Sequence, residues 1–277
     1  MKKIVRNLML LSVATAMFTA CGKESDVAVI QAIFSVSDSK QVYFSRGNLQ
    51  YNPKKNIWRF AKHQFDIVGK DNKNISKKYR GWIDLFGWGT SGYNGKNPYM
   101  TSSNHSDYGD GETNYDWGVY NKISNGGNQT GQWRTLTHDE WKYLRYDRTN
   151  ADALYATAMV NGVNGCIFLP DNWTLPDGLT FTSGVANDYS SEYYKTVNNY
   201  SAKKWAKMEA NGAVFLPAAG YRYGAEVFDV GSDGHYWSIS ASDDYGAYCL
   251  RFDSGYVGVS SDNRYCGISV RLVQDVE

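Results

Sequence analysis

Short runs of alternating apolar and polar residues recur through the last third of the chain. They occupy residues 236–240, 247–252, 256–259 and 267–273, and Gly, Ser or Asp residues separate them. Alternation over four to eight residues predicts strands that bury one face, and short strands joined by tight turns favour antiparallel pairing. The pattern therefore predicts a mostly antiparallel sheet in this part of the chain.

The first half divides into an alternating part and a loop-rich part. Residues 41–45 and 48–51 alternate around Arg46-Gly47, which predicts a β-hairpin, and residues 57–61 predict a further strand. Residues 81–131, called the loop region below, combine many Gly, Asn, Ser and Asp residues with aromatic side chains and few aliphatic ones. This composition predicts long loops pinned by aromatic anchors.

Two helices and two core strands are predicted between residues 137 and 217. Thr137 and Glu140 form a capping-box pattern, so a helix should begin there and fade near residue 147. Trp141 and Leu144 should face the core, and Tyr143 is a further candidate for it. Ala and Lys residues favour a second helix over 202–210. Residues 165–170 and 212–217 resemble each other and each ends at Pro, which is typical of core strands stopped by proline.

The first 20 residues have the layout of a secretion signal. Lys2, Lys3 and Arg6 precede an apolar run over residues 8–18, and no acidic residue interrupts it. The run is too short for a bilayer core about 30 Å thick. It ends in Phe-Thr-Ala before Cys21, which resembles the bacterial lipobox, although Phe18 stands where leucine is usual. The resemblance implies that Cys21 is acylated, for example with palmitate; an ordinary signal peptide with a chance cysteine is the alternative.

Residues 21–30 are predicted to be a lipidated tether. Residues 22–26 are Gly-Lys-Glu-Ser-Asp, which fits a flexible solvated linker. The same stretch is similar to the surface-export tag of some Gram-negative lipoproteins, and both interpretations stay open. The expected location is the outer membrane, with the protein anchored by its lipid and facing the cell surface.

Composition narrows the partners of the mature chain. Removing the signal takes three of the 29 basic residues and none of the 28 acidic ones, so the mature chain has 26 basic and 28 acidic residues and is nearly neutral. This balance, without long basic runs, argues against a nucleic-acid partner. The 22 Tyr and 9 Trp residues are numerous. They fit recognition surfaces as well as an irregular core.

The cysteines and histidines predict neither a disulfide framework nor a structural zinc site. After lipidation of Cys21, the three cysteines Cys166, Cys249 and Cys266 remain, and Cys249 with Cys266 is the pairing worth testing. No Cys-x-x-Cys pair occurs, and the four histidines lack ligand spacing. No metal and no cofactor is expected. The histidines are His63, His105, His138 and His235.

The order of several short motifs resembles the C-type-lectin-like fold. The motifs are Trp-Arg-Thr-Leu-Thr at 133–137, the segment 211–222, Gly-His-Tyr-Trp-Ser at 234–238 and Gly-Ile-Ser-Val-Arg-Leu-Val at 267–273. More narrowly, the chain resembles bacterial lipoproteins of the Fibrobacter major paralogous domain type. These are similar in fold to formylglycine-generating enzymes and to the variable proteins of diversity-generating retroelements. The resemblance implies an α+β, C-type-lectin-like domain over 31–277, with two main helices and a β-rich extension at 31–131.

The residues argue against two activities that the resemblance brings with it. Calcium-dependent sugar binding in this fold uses Glu-Pro-Asn or Gln-Pro-Asp triplets, and the nearest sequence here is Leu-Pro-Asp-Gly at 175–178. Formylglycine-generating enzymes place a copper-binding cysteine just after an arginine similar to Arg271, where this chain has Leu272. His138, Asp139 and Glu140 cluster only because they begin a helix. No catalytic residue is therefore assigned, and the chain is not expected to be an enzyme.

The remaining expectation is binding of an extracellular protein or glycan ligand through the C-terminal part of the domain. Small polar residues with rigid Tyr are typical of paratopes, and in retroelement-diversified relatives a similar stretch carries the variable side chains. Ordinary solvated loop residues are the alternative for any one position. A catalytically divergent enzyme relative and a structural surface component are the alternative functions. The expected contact residues are Tyr245, Tyr248, Arg251, Asp253, Tyr256, Asn263 and Arg264, with Trp237 in the core.

Overall fold

Fifteen strands and three α-helices are present among the residues that the computed structural model describes, which are 28–185, 194 and 197–277. Most strand pairs are antiparallel, and the fold is α+β. Cys21 and the predicted signal lie outside the described residues. The strands are β1 (Phe34–Ser35), β2 (Gln41–Phe44), β3 (Leu49–Asn52), β4 (Ile57–Phe60), β5 (Arg134–Thr135), β6 (Tyr155–Val160), β7 (Val163–Phe168), β8 (Asn199–Tyr200), β9 (Val214–Pro217), β10 (Tyr221–Tyr223), β11 (Glu226–Phe228), β12 (Gly234–Ala241), β13 (Gly246–Phe252), β14 (Val257–Asn263) and β15 (Leu272–Asp275). The helices are α1 (Trp117–Tyr120), α2 (His138–Lys142) and α3 (Ala202–Ala210).

The two ends of the described chain meet in one sheet of order β1-β2-β15-β5. Val273 of β15 lies opposite Phe44 of β2, and both side chains are buried in the same core cluster. The strands predicted around Arg46-Gly47 exist, but the predicted hairpin is wrong, because β2 and β3 do not pair with each other. Ser45 N–H donates to the Leu272 carbonyl at 2.9 Å, so the chain continues alongside the C-terminal segment instead of turning back.

A second sheet of order β8-β6-β7-β9 contains both predicted core strands. They pair with each other, with Gly165 opposite Pro217. Helix α3 has the predicted bounds, begins with a hydrogen bond from Lys204 N–H to the Ser201 hydroxyl, and buries Trp205 and Met208. These two side chains belong to a cluster that includes residues of β6, β7 and β9, so the helix covers one face of the sheet.

Helix α2 begins as the sequence predicts. The Thr137 hydroxyl accepts from the Glu140 N–H at 3.1 Å, and the Glu140 carboxylate accepts from the Thr137 N–H at 2.9 Å. The helix continues as a wider turn over Tyr143–Asp147 and then ends. Trp141 and Leu144 are completely buried, as expected, whereas Tyr143 is only half-buried and its hydroxyl donates to the Asp38 carboxylate at 3.0 Å.

Strands β12, β13 and β14 form a three-stranded antiparallel sheet, which confirms the expectation for this segment. Residues 267–273 are extended only in part: β15 begins at Leu272, while Ile268 and Ser269 form isolated bridges to Phe86 and Tyr236. Trp237 is completely buried, as predicted.

The loop region is held against this sheet by tryptophan side chains. Trp88 Nε1–H donates to the Ser238 carbonyl at 2.8 Å, and Trp237 Nε1–H donates to the Phe86 carbonyl at 2.7 Å. Apart from helix α1, the described part of this region contains short helical turns and no strand, which confirms the predicted loops. Its buried aromatic side chains belong to the same core cluster as Trp237, which confirms the predicted aromatic anchors. No helix within the described ranges has the length and apolar character needed to cross a membrane.

Candidate functional site

The seven expected contact residues are all at least partly exposed, but they do not form one patch. Tyr245, Asn263 and Arg264 lie at one end of the three-stranded sheet, whereas Asp253 and Tyr256 lie in the β13–β14 turn at the other end. A strand as long as β13 separates the two ends by roughly 20 Å. Tyr248 and Arg251 lie between them on opposite faces of β13, because side chains alternate along a strand.

Arg264 is a structural side chain at the first of these ends. Its guanidinium donates to three backbone carbonyls, those of Asp243 at 2.6 Å, Gly109 at 3.2 Å and Gly246 at 3.3 Å. It also lies over the Trp88 ring at 4.8 Å. These contacts connect the β12–β13 turn to the loop region. Arg264 therefore positions its neighbours, and its guanidinium already donates to protein carbonyls instead of to a ligand.

A continuous line of four rings, called the aromatic row below, crosses the surface beside Arg264. It consists of Tyr245, His105, Tyr265 and Tyr223, with successive ring centroids 5.1, 4.8 and 5.4 Å apart. Tyr245 is 64% exposed and Tyr223 is 49% exposed, so both ends of the row face solvent. His105 Nδ1 lies 2.7 Å from the Tyr245 carbonyl oxygen, which fixes the loop region to the turn that carries Tyr245.

A small polar depression of about 170 Å³ adjoins Tyr245. Asp243 accepts from the N–H groups of Tyr245 and Gly246, both at 2.7 Å, and these hydrogen bonds lower the pKa of its carboxyl. The depression therefore offers an ionised carboxylate beside exposed aromatic surface. Its lining residues are Ser242, Asp243, Tyr245, Gly246, Ser261, Asp262 and Asn263.

The other expected contact residues have partners of their own. The Tyr248 ring lies 3.9 Å from the His138 ring, and Arg251 donates to the Asp233 carboxylate at 3.2 Å. Tyr256 is 39% exposed, and its hydroxyl donates to the Val259 carbonyl at 3.3 Å. These residues lie away from the aromatic row, so the seven expected contact residues belong to separate parts of the surface.

A group that sequence spacing did not reveal lies on the opposite side of β13 from Tyr248. His235, Cys249 and Asp262, called the His235 cluster below, each place one potential ligand atom within 4.8 Å of the other two. His235 lies opposite Arg251 on β13, and Asp262 lies opposite Ala247. Cys249 follows His235 by 14 positions and Asp262 follows Cys249 by 13, so only the strand register brings the three residues together.

The three described cysteines are free thiols. Cys166, Cys249 and Cys266 are all buried, and Cys249 forms no disulfide with Cys266. Burial raises the pKa of the Cys249 thiol well above its ordinary value, and the Asp262 carboxylate beside it acts in the same direction. Cys249 is therefore a buried thiol whose Sγ lies 3.6 Å from an Asp262 oxygen.

A larger open groove of about 830 Å³ lies elsewhere, beside the central strands of the β1-β2-β15-β5 sheet, where Tyr43 lies opposite Gln274. None of the described residues that line it is charged, and Tyr43 is the one aromatic side chain among them. The size of the groove alone does not indicate a ligand, and the groove does not contact the aromatic row. Its lining residues are Val29, Gln31, Ala32, Ile33, Tyr43, Asn172, Thr174, Ala210, Asn211 and Gln274.

The C-terminal part of the chain is similar to a known sequence family. The family, described as a domain of unknown function (DUF8237), matches residues 184–273. This segment includes strands β8 to β14, most of the aromatic row and the complete His235 cluster. No curated protein and no solved structure matches the chain significantly.

Proposed function

We propose that this protein is a lipid-anchored component of the bacterial outer membrane that binds an extracellular protein or glycan through the aromatic row. The observation that carries the proposal is the row itself: four rings, each in contact with the next, with exposed tyrosines at both ends. Tyrosine offers a large contact area, loses little side-chain entropy on binding and can form a hydrogen bond through its hydroxyl.

The surroundings of the row support binding more than catalysis. The Asp243 carboxylate and the polar depression next to Tyr245 supply hydrogen-bond acceptors for hydroxyl or amide groups of a ligand. Arg264 holds the turn rigid through its three carbonyl contacts, so the ligand need not order the turn that carries Tyr245. A rigid platform with exposed aromatic and small polar side chains fits a recognition surface, including one whose side chains are diversified.

We further propose that the α+β domain has a C-type-lectin-like fold. The order of its sequence motifs supports this, as do the mostly antiparallel sheets and, among the described residues, two helical segments at 138–147 and 202–210. A catalytically divergent relative of formylglycine-generating enzymes and a structural surface component are the alternatives. The experiments below distinguish them from a binding protein.

The test uses the full chain, purified in detergent, on glycan and protein arrays, followed by affinity measurement for each hit. We expect Tyr245→Ala and Tyr223→Ala each to weaken binding by about tenfold or more, because each removes an exposed aromatic contact. Tyr120→Ala is the matched control, since Tyr120 is 42% exposed but lies outside the row. Equal affinities for the three variants and the parent chain would show that the row is not the contact surface.

Two further measurements address the anchor and the structural alternative. Metabolic labelling with palmitate should mark the parent chain in bacterial membranes, and Cys21→Ala should abolish the label and release the protein. Analytical ultracentrifugation of the purified chain should show no concentration-dependent polymer. Polymers that form without a ligand would instead support a structural surface component.

A further inference from the structure

We propose that the His235 cluster binds one divalent transition-metal ion, with zinc as the best fit. His235, Cys249 and Asp262 supply one nitrogen, one sulfur and one oxygen, a donor set that zinc accepts in proteins. Calcium and magnesium prefer oxygen ligands and would not use the thiolate. The proposal does not depend on ligand binding by the aromatic row.

The distances within the cluster are close to those of a preformed site. His235 Nδ1 lies 2.8 Å from Asp262 Oδ2, and Cys249 Sγ lies 3.6 Å from the same oxygen. Zinc bonds of about 2.0–2.3 Å in tetrahedral geometry place neighbouring ligand atoms about 3–4 Å apart. Small side-chain rotations would therefore bring all three atoms to a common centre, without movement of the strands.

The second nitrogen of His235 has the neighbour that a metal-bound histidine usually has. His235 Nε2 is buried without a hydrogen bond, and an oxygen of Asp233 lies 3.8 Å from it. Asp233 is held in turn by Arg251 at 3.2 Å. Metal-ligating histidines commonly donate their other N–H to a carboxylate, which fixes the ring and the tautomer. Closure of this gap on metal binding would complete that arrangement.

Charge and access also fit a divalent cation. The Cys249 thiolate and the Asp262 carboxylate balance two positive charges, while Asp233 and Arg251 balance each other. His235 and Cys249 are buried, but the Asp262 side chain is 28% exposed. The ion could therefore enter from the Asp262 side, and a water molecule or a ligand group could take the fourth position there.

The test strips the full chain of metal with a chelator and titrates it with zinc against a competing chelator. We expect one equivalent to bind, and cobalt in its place should give a thiolate-to-cobalt charge-transfer band. Cys249→Ser and His235→Gln should each lower zinc affinity by more than about 100-fold, and Asp233→Asn by roughly 10–100-fold, as for an outer-shell partner. Cys266→Ser and Cys166→Ser are the matched controls and should bind zinc like the parent chain.

A second measurement keeps the test decisive if a variant does not fold. Zinc should protect Cys249 of the parent chain from thiol alkylation during partial unfolding, as read by mass spectrometry, and should protect Cys166 less. Absence of stoichiometric zinc from the folded parent chain would overturn the proposal. So would a cobalt–thiolate band that persists in Cys249→Ser or disappears in Cys266→Ser.

Discussion

Asp116 in the loop region and Arg271 beside the C-terminal strands satisfy backbone groups in opposite ways: the carboxylate accepts from N–H groups, and the guanidinium donates to carbonyls. In the loop region, the buried carboxylate of Asp116 accepts from the N–H groups of Gly118, Val119 and Thr135 at 2.7–3.2 Å. Around the C-terminal strands, Arg271 is completely buried and donates to the Ser45 and Phe215 carbonyls at 3.0 and 2.6 Å. Buried backbone N–H groups can be satisfied by anions and carbonyls by cations, and both solutions occur in this protein; the Gly109 carbonyl of the loop region, for example, accepts from Arg264.

The cost of removing such a side chain should depend on whether water can take its place. Asp116 and the N–H groups that it accepts from are mostly buried, so water cannot replace the carboxylate. Burial lowers the pKa of Arg271 to about 10, so its charge is retained at neutral pH although no carboxylate pairs with it in the described part of the chain. Arg264, by contrast, is only partly buried, and water can reach the Asp243 carbonyl to which it donates. The following predictions test this difference.

The largest effect is expected for Asp116→Ala. The substitution leaves three N–H groups without an acceptor and removes the N-terminal cap of α1, so the free energy of unfolding should fall by about 3 kcal/mol or more. Urea denaturation of the parent chain and the variant measures the change. Asp110→Ala is the control: Asp110 is exposed in the same region, and its loss should cost about 0.5 kcal/mol or less. Equal costs at the two positions would contradict the buried-anchor interpretation.

The second prediction concerns pH and Asp84. Burial raises the pKa of this carboxyl to about 6, although the Asn72 amide and the Val68 N–H donate to it at 2.7 and 2.9 Å. The unfolded chain releases this proton near pH 4 and the folded chain near pH 6, so folding stability falls as pH rises through that window. Two pKa units correspond to about 3 kcal/mol.

Denaturation of the parent chain and Asp84→Asn at several pH values measures this contribution. The free energy of unfolding of the parent chain, relative to the variant, should decrease by about 3 kcal/mol between pH 3.5 and 6.5. A constant difference across this range would show that Asp84 titrates normally in the folded protein.

A smaller effect is expected for Arg264→Met. The apolar side chain keeps much of the packing on Trp88 but cannot donate to the three carbonyls. Because the Asp243 carbonyl is exposed to water, the free energy of unfolding should fall by only about 1–2 kcal/mol. A loss as large as that of Asp116→Ala would mean that a partly exposed side chain is as costly to remove as a buried one.

The smallest effect on stability is expected for Tyr245→Ala. Tyr245 is 64% exposed and its side chain satisfies no buried backbone group, so the free energy of unfolding should change by about 0.5 kcal/mol or less. Ligand affinity should still fall. A clear loss of stability in the thermal or urea transition would assign the aromatic row to the fold instead of to recognition.

Local signals in the sequence determined several elements. The capping box of Thr137 and Glu140 set the start of α2, and residues 202–210 became α3 with the predicted bounds. Strands β4, β7, β9 and β13 lie where alternation or an apolar run ending at Pro predicts them. Such signals depend only on residues close together in the sequence, so they act independently of the tertiary contacts that the rest of the chain makes.

The tertiary structure alone decided which strands pair and which side chains meet. Two alternating segments around Gly47 gave no hairpin, because each found a different partner strand. Strand register brought His235, Cys249 and Asp262 together, and loop packing placed His105 between Tyr245 and Tyr265. Pairing between strands far apart in the sequence depends on burial and hydrogen bonding throughout the chain, and a short stretch of sequence cannot determine it.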